Sequence, residues 1–381
     1  MPYAAAQTND RPAVESNLLR NPRAPRLTME NKLPRVAVVI LAWNGKKFLE
    51  KFLPSVVSST YANLEICVAD NHSTDGTADY IREHWPKLKL IRLERNEGFA
   101  AGYNSALTQV SADYFVLLNQ DVEIVPGWIE PVIALMEKDA AIAAAQPKLM
   151  DFRQREKFEY AGGAGGFIDR WGYPFCRGRL FDTMETDTGQ YDGTREIFWA
   201  TGAALFIRAG LFKSFGGFDG DFFAHMEEID LCWRLKNAGH KIFGVGESSA
   251  FHVGGGSLPM GNPRKTFLNF RNNLILILKN MTAGELCWRF PLRLVLDQLA
   301  ALRALAGGNT ADFCAILKAQ GHVVFQLRKW LRHRKVAKKV VEANRIGPRN
   351  PAGTFCGSVV RYYFQRGVKK FSDLPPNKFV R

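Results

Sequence analysis

Apolar residues in the first part of the chain come in short, unbroken runs separated by stretches of helical period. Val36 to Trp43 is a β-branched run, Lys47 to Ser58 reads as a helix, and Leu64 to Ala69 reads as the next strand. The alternation continues with a helix near Asp75 to His84, a strand near Leu88 to Leu93 and a helix near Ala100 to Val110. The strand Tyr114 to Leu118, a helix starting near Pro126 and a strand near Ala141 to Gln146 follow. Buried strands of this kind alternating with helices predict an α/β fold, a mixed and mainly parallel sheet flanked by helices. The first strand runs into Asn44-Gly45-Lys46-Lys47, not into a GxGxxG turn, which argues against a dinucleotide-binding dehydrogenase.

Two strands end in carboxylates. Tyr114 to Leu118 runs into Asn119-Gln120-Asp121, and Glu65 to Ala69 runs into Asp70 and the turn Asn71-His72-Ser73-Thr74-Asp75-Gly76. Ligands of α/β sheets sit beyond the carboxyl ends of the strands, so both acids stand where a polar ligand, with a metal, is expected. Each has a plainer reading: Asp70 as an Asx-turn residue ending a strand, Asp75 as a helix cap.

The pattern loosens from Tyr160 to Phe181, a Gly- and aromatic-rich stretch expected to form loops and a short hairpin that shape a pocket. Regularity returns at Phe198 to Ile207. Beyond it, the end of the stretch Phe222 to Leu235 has helical period, with Ile229, Cys232 and Trp233 on one side and carboxylates at its start, as helix N-termini prefer.

Taken together, these segments resemble family 2 inverting glycosyltransferases of the GT-A fold, and especially their rhamnosyltransferase-like branch. The resemblance covers roughly residues 35 to 280. It rests on Val38 to Asn44, Val68 to Thr77, Asn96 to Asn104, Leu118 to Asp121, Thr201 to Ala203, Glu227 to Leu231 and Phe251-His252, in the family's order. It implies a donor site formed by Trp43, Asn44, Asp70, Asn71, Ser73, Asn96, Gly98, Asn104, Asn119, Gln120 and Asp121. Asp70 would accept the N3–H of a uracil or thymine ring. Asp121 would hold a divalent metal, Mg²⁺ or Mn²⁺, with His252. Asn119 stands where the family usually has a first aspartate, which leaves a weaker hard-ion site completed by the donor's diphosphate.

The resemblance places the catalytic base at Glu228, where the family normally has aspartate, with Glu227 and Asp230 as fallbacks. Asp230 also lies four residues before Arg234 and has an ion-pair reading. Thr201, Gly202 and Ala203 are expected on the acceptor side. His252 could be merely structural, and Gly98 could simply enter a helix. The glycines after His252 suit a mobile loop closing over phosphates.

Charge adds a partner. The net charge of +14 is uneven: residues 264 to 381 carry 23 Lys and Arg against 5 Asp and Glu, and the remainder is slightly acidic. Residues 1–34 read as a disordered leader without a signal peptide's apolar core, residues 35–280 as the GT-A domain, and residues 281–381 as a basic helical extension. On a helical wheel Arg289, Arg293, Asp297 and Arg303 share one sector and leave Leu286, Phe290, Leu292, Leu296, Leu299 and Leu302 largely elsewhere. A second segment, Val323 to Val341, mixes Trp330 and Leu331 with seven Lys and Arg residues. Both suit an anionic bilayer surface; helices packed on the body with a solvated basic face are the alternative. No apolar run is long enough to span a bilayer. The six dispersed cysteines read as reduced thiols.

The expectation is therefore an enzyme, a peripheral protein on the cytoplasmic face of the cell membrane. It would move a sugar, rhamnose by the branch it resembles, from a dTDP- or UDP-sugar to a hydroxyl of a lipid-linked or growing cell-surface glycan. Two other readings remain: a sugar-nucleotide pyrophosphorylase, which shares a nucleotide-binding α/β body, and a nucleic-acid-binding protein built on the basic tail. The latter explains none of the strand-end carboxylates, and nucleic acid is not expected as a partner.

Overall fold

In the computed structural model, which describes residues 33–254 and 262–380, the apolar runs form the strands that the pattern predicts. The order opens with β1 (Val36–Ala42), α1 (Lys46–Val57), β2 (Leu64–Asp70), α2 (Thr77–His84), β3 (Lys89–Arg92), α3 (Gly98–Leu107) and β4 (Tyr114–Asn119). It continues with β5 (Val122–Ile124), α4 (Glu130–Lys138), β6 (Ile142–Asp151), β7 (Gly166–Asp169), β8 (Pro174–Cys176), β9 (Arg179–Leu180), β10 (Thr183–Met184), β11 (Arg195–Glu196) and β12 (Ala204–Arg208). Then come α5 (Ala209–Ser214), α6 (Glu227–Asn237), β13 (Lys241–His252), α7 (Pro263–Asn280), α8 (Ala283–Ala306), α9 (Thr310–Phe325), α10 (Leu327–Ala343), β14 (Thr354–Phe355) and α11 (Val359–Phe364).

The main sheet runs β11-β13-β6-β12-β4-β1-β2-β3, with β5 added against β13. Strands β3, β2, β1 and β4 are mutually parallel, and β12 enters antiparallel between β4 and β6. The chain leaves β1 on one side to build β2 and β3, then returns through α3 to place β4 on the other side. Such a reversal opens a crevice beyond the strands' carboxyl ends. Register puts the two candidate carboxylate turns at that crevice: Ala42 lies opposite Asp70, and Leu41 opposite Asn119. One apolar cluster fills each face of the sheet.

The Gly- and aromatic-rich stretch is more ordered than expected. It forms a second, five-stranded sheet, β10-β9-β8-β7-β14, whose last strand comes from near the C-terminus. Phe167 and Phe175 there pack against Phe371 and Phe379, and Glu185 accepts a hydrogen bond from the Phe371 amide at 2.8 Å. Residues from Pro34 onward form one compact unit.

On α8 the polar sector, not the apolar one, meets the body, unlike the alternative of a packed helix with a solvated basic face. Arg293 and Asp297 pair at 2.8 Å, are buried, and are held by Tyr173 and Asn273 of the body. The apolar stripe Trp288, Leu292, Val295, Leu299 and Leu302 faces solvent instead. On α10, Trp330 and Arg334 are buried, so the basic segment is partly a packing surface, while Arg328, Arg332, Lys335, Lys338 and Lys339 stay exposed. Among the described residues no helix is long and apolar enough to cross a membrane. All six cysteines are free thiols. The expected leader, apart from its last two residues, and the glycines from Gly255 lie outside the described residues.

Candidate active site

At the end of β2, Asp70 is fully buried, and its Oδ1 accepts the Ser73 amide at 3.1 Å, the Asx turn anticipated for it. Its Oδ2 has no hydrogen-bond partner; Arg92 Nε stands 3.9 Å away. A buried carboxylate oxygen without a donor is costly unless a ligand supplies one.

The turn after β1 is laced to its neighbours. Asn44 adopts a positive φ of 47°, its amide donates to Ser73 Oγ at 2.9 Å, and its Oδ1 accepts the Thr74 amide at 2.8 Å. Asp75 accepts the amides of Lys46 and Thr77, both at 3.0 Å, and so caps the starts of α1 and α2. Gln120 Oε1 accepts the Trp43 amide at 3.0 Å. Trp43 itself is exposed at the crevice.

The asparagines of the next motif hold backbone. Asn71 Oδ1 accepts the Glu97 amide at 3.0 Å while its Nδ2 donates to Gly98 O at 3.0 Å, and Asn96 Oδ1 accepts the Gly98 amide at 2.9 Å. Gly98 has a φ of 76°, and a Cβ there would fall 2.7 Å from the Phe223 ring, so glycine is required twice over. Asn104 commits both amide atoms to the backbone of Phe218, at 2.7 and 2.9 Å.

Pairing of β5 with β13 sets His252 opposite Val122, next to Asp121. His252 Nε2 lies 3.2 Å from Asp121 Oδ1, and Asn119 Nδ2 is 3.4 Å from the same nitrogen. On the other side of the ring, Nδ1 lies 3.2 Å from Oε1 of Glu159. Burial alone would lower the imidazole's pKa, but the carboxylates of Asp121 and Glu159 raise it to about 10. Burial would raise the Asp121 pKa, and His252 instead holds it below the usual carboxylate value. Glu159 was not recognised in the sequence. Its only local sign is a lone acid between Phe158 and Tyr160.

These groups pass a test for a divalent cation. Asp121 Oδ1 and His252 Nε2 have the separation of adjacent ligands on one hard ion. A carboxylate on the far ring nitrogen is the usual partner of a metal-bound histidine, because it fixes the tautomer that leaves Nε2 free.

A second group, Asp219, Asp221 and His333, brings its ligand atoms within 4.8 Å of one another. It is crossed by the protein's own cations: Lys279 lies 2.6 Å from Asp219 and Lys329 2.8 Å from Asp221. It ties α7 and α10 to the turn before α6.

Glu227 and Glu228 open α6. Glu227 is buried, and burial together with the neighbouring Glu228 pushes its pKa well above the ordinary value. Glu228 is part-exposed; burial raises it to about 7, against the pull of backbone groups of Glu228, Ile229, Gly202 and Met226. One carboxylate oxygen of each residue has no partner. Gly202 lies directly against the base candidate: a Cβ there would be 3.8 Å from Glu228 Cβ and 3.3 Å from the Phe99 ring. Thr201 donates its hydroxyl to Ala161 O at 2.6 Å, and Ala203 O accepts the Asn119 amide at 3.0 Å. Thr201-Gly202-Ala203 thus joins the two ends of the site.

Asp230 is different. It is fully buried and accepts from Arg234 at 2.9 Å, Lys279 at 2.9 Å and Asn280 at 2.8 Å. Burial would raise its pKa, but Lys279 and Arg234 hold it low. The ion-pair reading describes this residue, which fastens α6 to α7.

Residues 37–197 match the profile of glycosyl transferase family 2. The chain carries a family 2 glycosyltransferase domain. This glycosyltransferase is 26% identical over 295 residues to N-acetylglucosaminyl-diphospho-decaprenol L-rhamnosyltransferase of Mycobacterium tuberculosis, across 72% of the present chain and 92% of that protein. It is 34% identical over 119 residues to an uncharacterized glycosyltransferase of Haemophilus influenzae, across 30% of this chain and 36% of that one. Among solved structures, GalNAc-T7 with UDP, GalNAc and Mn2+ aligns with a TM-score of 0.52 at 19% identity, over 66% of this chain. The glycosyltransferase spans about half of that chain, 48% of its length, and shares its fold, GT-A. With the family established, the pyrophosphorylase reading falls away.

Proposed function

We propose that this glycosyltransferase inverts the anomeric centre as it moves a sugar from a dTDP- or UDP-activated donor to a hydroxyl of a lipid-linked or growing cell-surface glycan. The carrying observation is Glu228, a carboxylate kept close to neutral by burial, part-open to the crevice and backed by Gly202. A base with a pKa near the operating pH both exists in its proton-accepting form and returns the proton readily. Glu228 takes the acceptor hydroxyl's proton as that oxygen attacks the anomeric carbon. The bond from that carbon to the nucleoside diphosphate breaks on the opposite face, and the sugar inverts. Beside it, burial and the neighbouring Glu228 raise the Glu227 pKa well above the ordinary value.

On the donor side, the unpartnered Oδ2 of Asp70 suits the N3–H of uracil or thymine. Trp43, Asn44, Ser73 and Gln120 line the approach, while Asn71, Asn96, Gly98 and Asn104 act through the backbone that they fix. Asp121 and His252 would hold Mg²⁺ or Mn²⁺, which supplies Lewis-acid stabilisation of the departing diphosphate. Rhamnose is the favoured sugar, because the relative aligned over most of its length is named an N-acetylglucosaminyl-diphospho-decaprenol L-rhamnosyltransferase.

The protein works as a peripheral enzyme at the cytoplasmic face of the membrane. The solvent-facing stripe of α8 and the exposed cations of α10 support an anionic lipid surface as partner in preference to nucleic acid. Flotation with anionic vesicles tests this; protein that stays in solution at low salt overturns it. A thermal-shift panel of nucleoside diphosphates with and without Mn²⁺ tests the donor site. Stabilisation by dTDP or UDP only with metal is expected, and equal stabilisation by GDP would refute the role of Asp70.

A further inference from the structure

The segment that delivers Glu227 and Glu228 to the crevice holds an unfavourable backbone. Phe223, His225 and Met226 all have positive φ, at 64°, 70° and 75°. None is glycine, and left-handed conformations of ordinary residues persist only where the surroundings enforce them. Two helices remote in sequence enforce this one. On one side Phe223 O accepts the amides of Phe99 and Ala100, at 2.9 and 3.3 Å, at the start of α3. On the other, the buried side chain of Asn272 on α7 reaches into the turn, and its Nδ2 faces three carbonyls at once: Phe222 at 3.0 Å, Ala224 at 2.9 Å and His225 at 2.7 Å. Arg271 fixes that amide by donating from Nε to Asn272 Oδ1 at 2.8 Å, and its Nη2 donates to Asp221 O at 2.8 Å and Phe222 O at 3.0 Å.

The carbonyls of Phe222, Ala224 and His225 cannot all point at one donor unless the chain between them takes this turn. α6 begins two residues after His225, so the turn decides which way its first residues face. We propose that Asn272, supported by Arg271, is a positioning residue for the base: its amide gathers the three carbonyls and thereby sets where the Glu228 carboxylate stands in the crevice. The proposal rests on Glu228 being the base. It adds a residue from α7, outside the span that matches the family profile.

The test follows the Glu228 carboxyl directly in the full chain, by ¹³C NMR of protein labelled at the glutamate carboxyl, titrated between pH 4 and pH 9. The resonance lost in Glu228→Gln identifies the residue. In the wild type it is expected to titrate about where burial places it, near 7. In Asn272→Ala, which lets the turn relax and admits water to the helix start, the midpoint should fall by at least about one pH unit, a tenfold change in the proton's affinity. Combining Asn272→Ala with Met226→Gly should move the midpoint back toward the wild type, since glycine accepts the positive φ without enforcement. If Asn272→Ala does not fold, Arg271→Ala removes two bonds to the same turn and is read in the same way. A wild-type Glu228 that titrates like an ordinary glutamate defeats the assignment of the base itself. A wild-type midpoint near 7 that stays unchanged in Asn272→Ala, with only a lower Tm, overturns the positioning role.

Discussion

His252 Nε2 stands 3.2 Å from Asp121 Oδ1, although 131 residues separate them in the chain. The separation suits two ligands of one cation, and Glu159 Oε1 stands 3.2 Å from the opposite ring nitrogen, within reach to orient the ring. Asp121→Ala is therefore expected to abolish Mn²⁺ binding in the presence of UDP or dTDP, read by electron paramagnetic resonance. Glu159→Gln should weaken it by about 10- to 100-fold. Unchanged Mn²⁺ affinity in Asp121→Ala would move the ion elsewhere.

Glu228 predicts a pH profile with a definite sign. Its pKa is raised to about 7, so the proton-accepting form is lost below that pH, and transfer should fall about tenfold per pH unit on the acid side. The same raised value means that the charged form is disfavoured in the fold. The associated stability is complete below the ordinary glutamate pKa and is lost as pH rises through about 7. Glu228→Gln should be inactive, and its Tm advantage over the wild type should appear at pH 8 and vanish near pH 4. Retained turnover in Glu228→Gln would shift the base to a neighbour.

Asp230 should behave as a structural tie. Removing it leaves the buried Arg234 without its carboxylate and Lys279 with Asp219 alone, which costs about 3–5 kcal/mol. Asp230→Ala should therefore unfold at markedly lower denaturant. A variant of normal stability and no activity would instead point to a part in the chemistry.

Gly45 sits where a Cβ would come within 2.1 Å of Gln120 Oε1. Its φ of −108° is open to any residue, so Gly45→Ala should fold, losing about 1 kcal/mol as Gln120 gives up the Trp43 amide. Isothermal titration with UDP and dTDP should show weakened binding, because Trp43 and Gln120 lose their mutual restraint. Undiminished binding would separate that tether from the donor site.

Much of the catalytic half was legible because its signals are local. Unbroken apolar runs mark buried strands, and the residues after them, Asp70 and Asn119 to Asp121, follow from where a parallel sheet opens to ligands. The turn of Asp70, the capping by Asp75 and the pairing of Asp230 with Arg234 involve neighbours within four residues, and each appears as read. Glu159 and Asn272 were not legible, since a lone acid and an asparagine in a helix carry no periodic or motif signal. Their partners lie 93 residues and about 50 residues away.

The amphipathic helix α8 marks the same boundary. Its sequence determines that Arg293 and Asp297 share a face, because one helical turn brings them together. It does not determine which face meets the body. Tyr173 and Asn273 decide that by offering the ion pair buried partners, and the leucine stripe is left to solvent. The α/β scaffold and the carboxylates at its strand ends are readable along the chain, since both follow from short-range pattern. Packing alone brings Glu159 to the ring of His252, sets Gly202 against Glu228 and carries Asn272 into the turn before α6. Contacts between distant segments depend on how strands pair and helices pack, and that geometry is written in no local stretch of the chain.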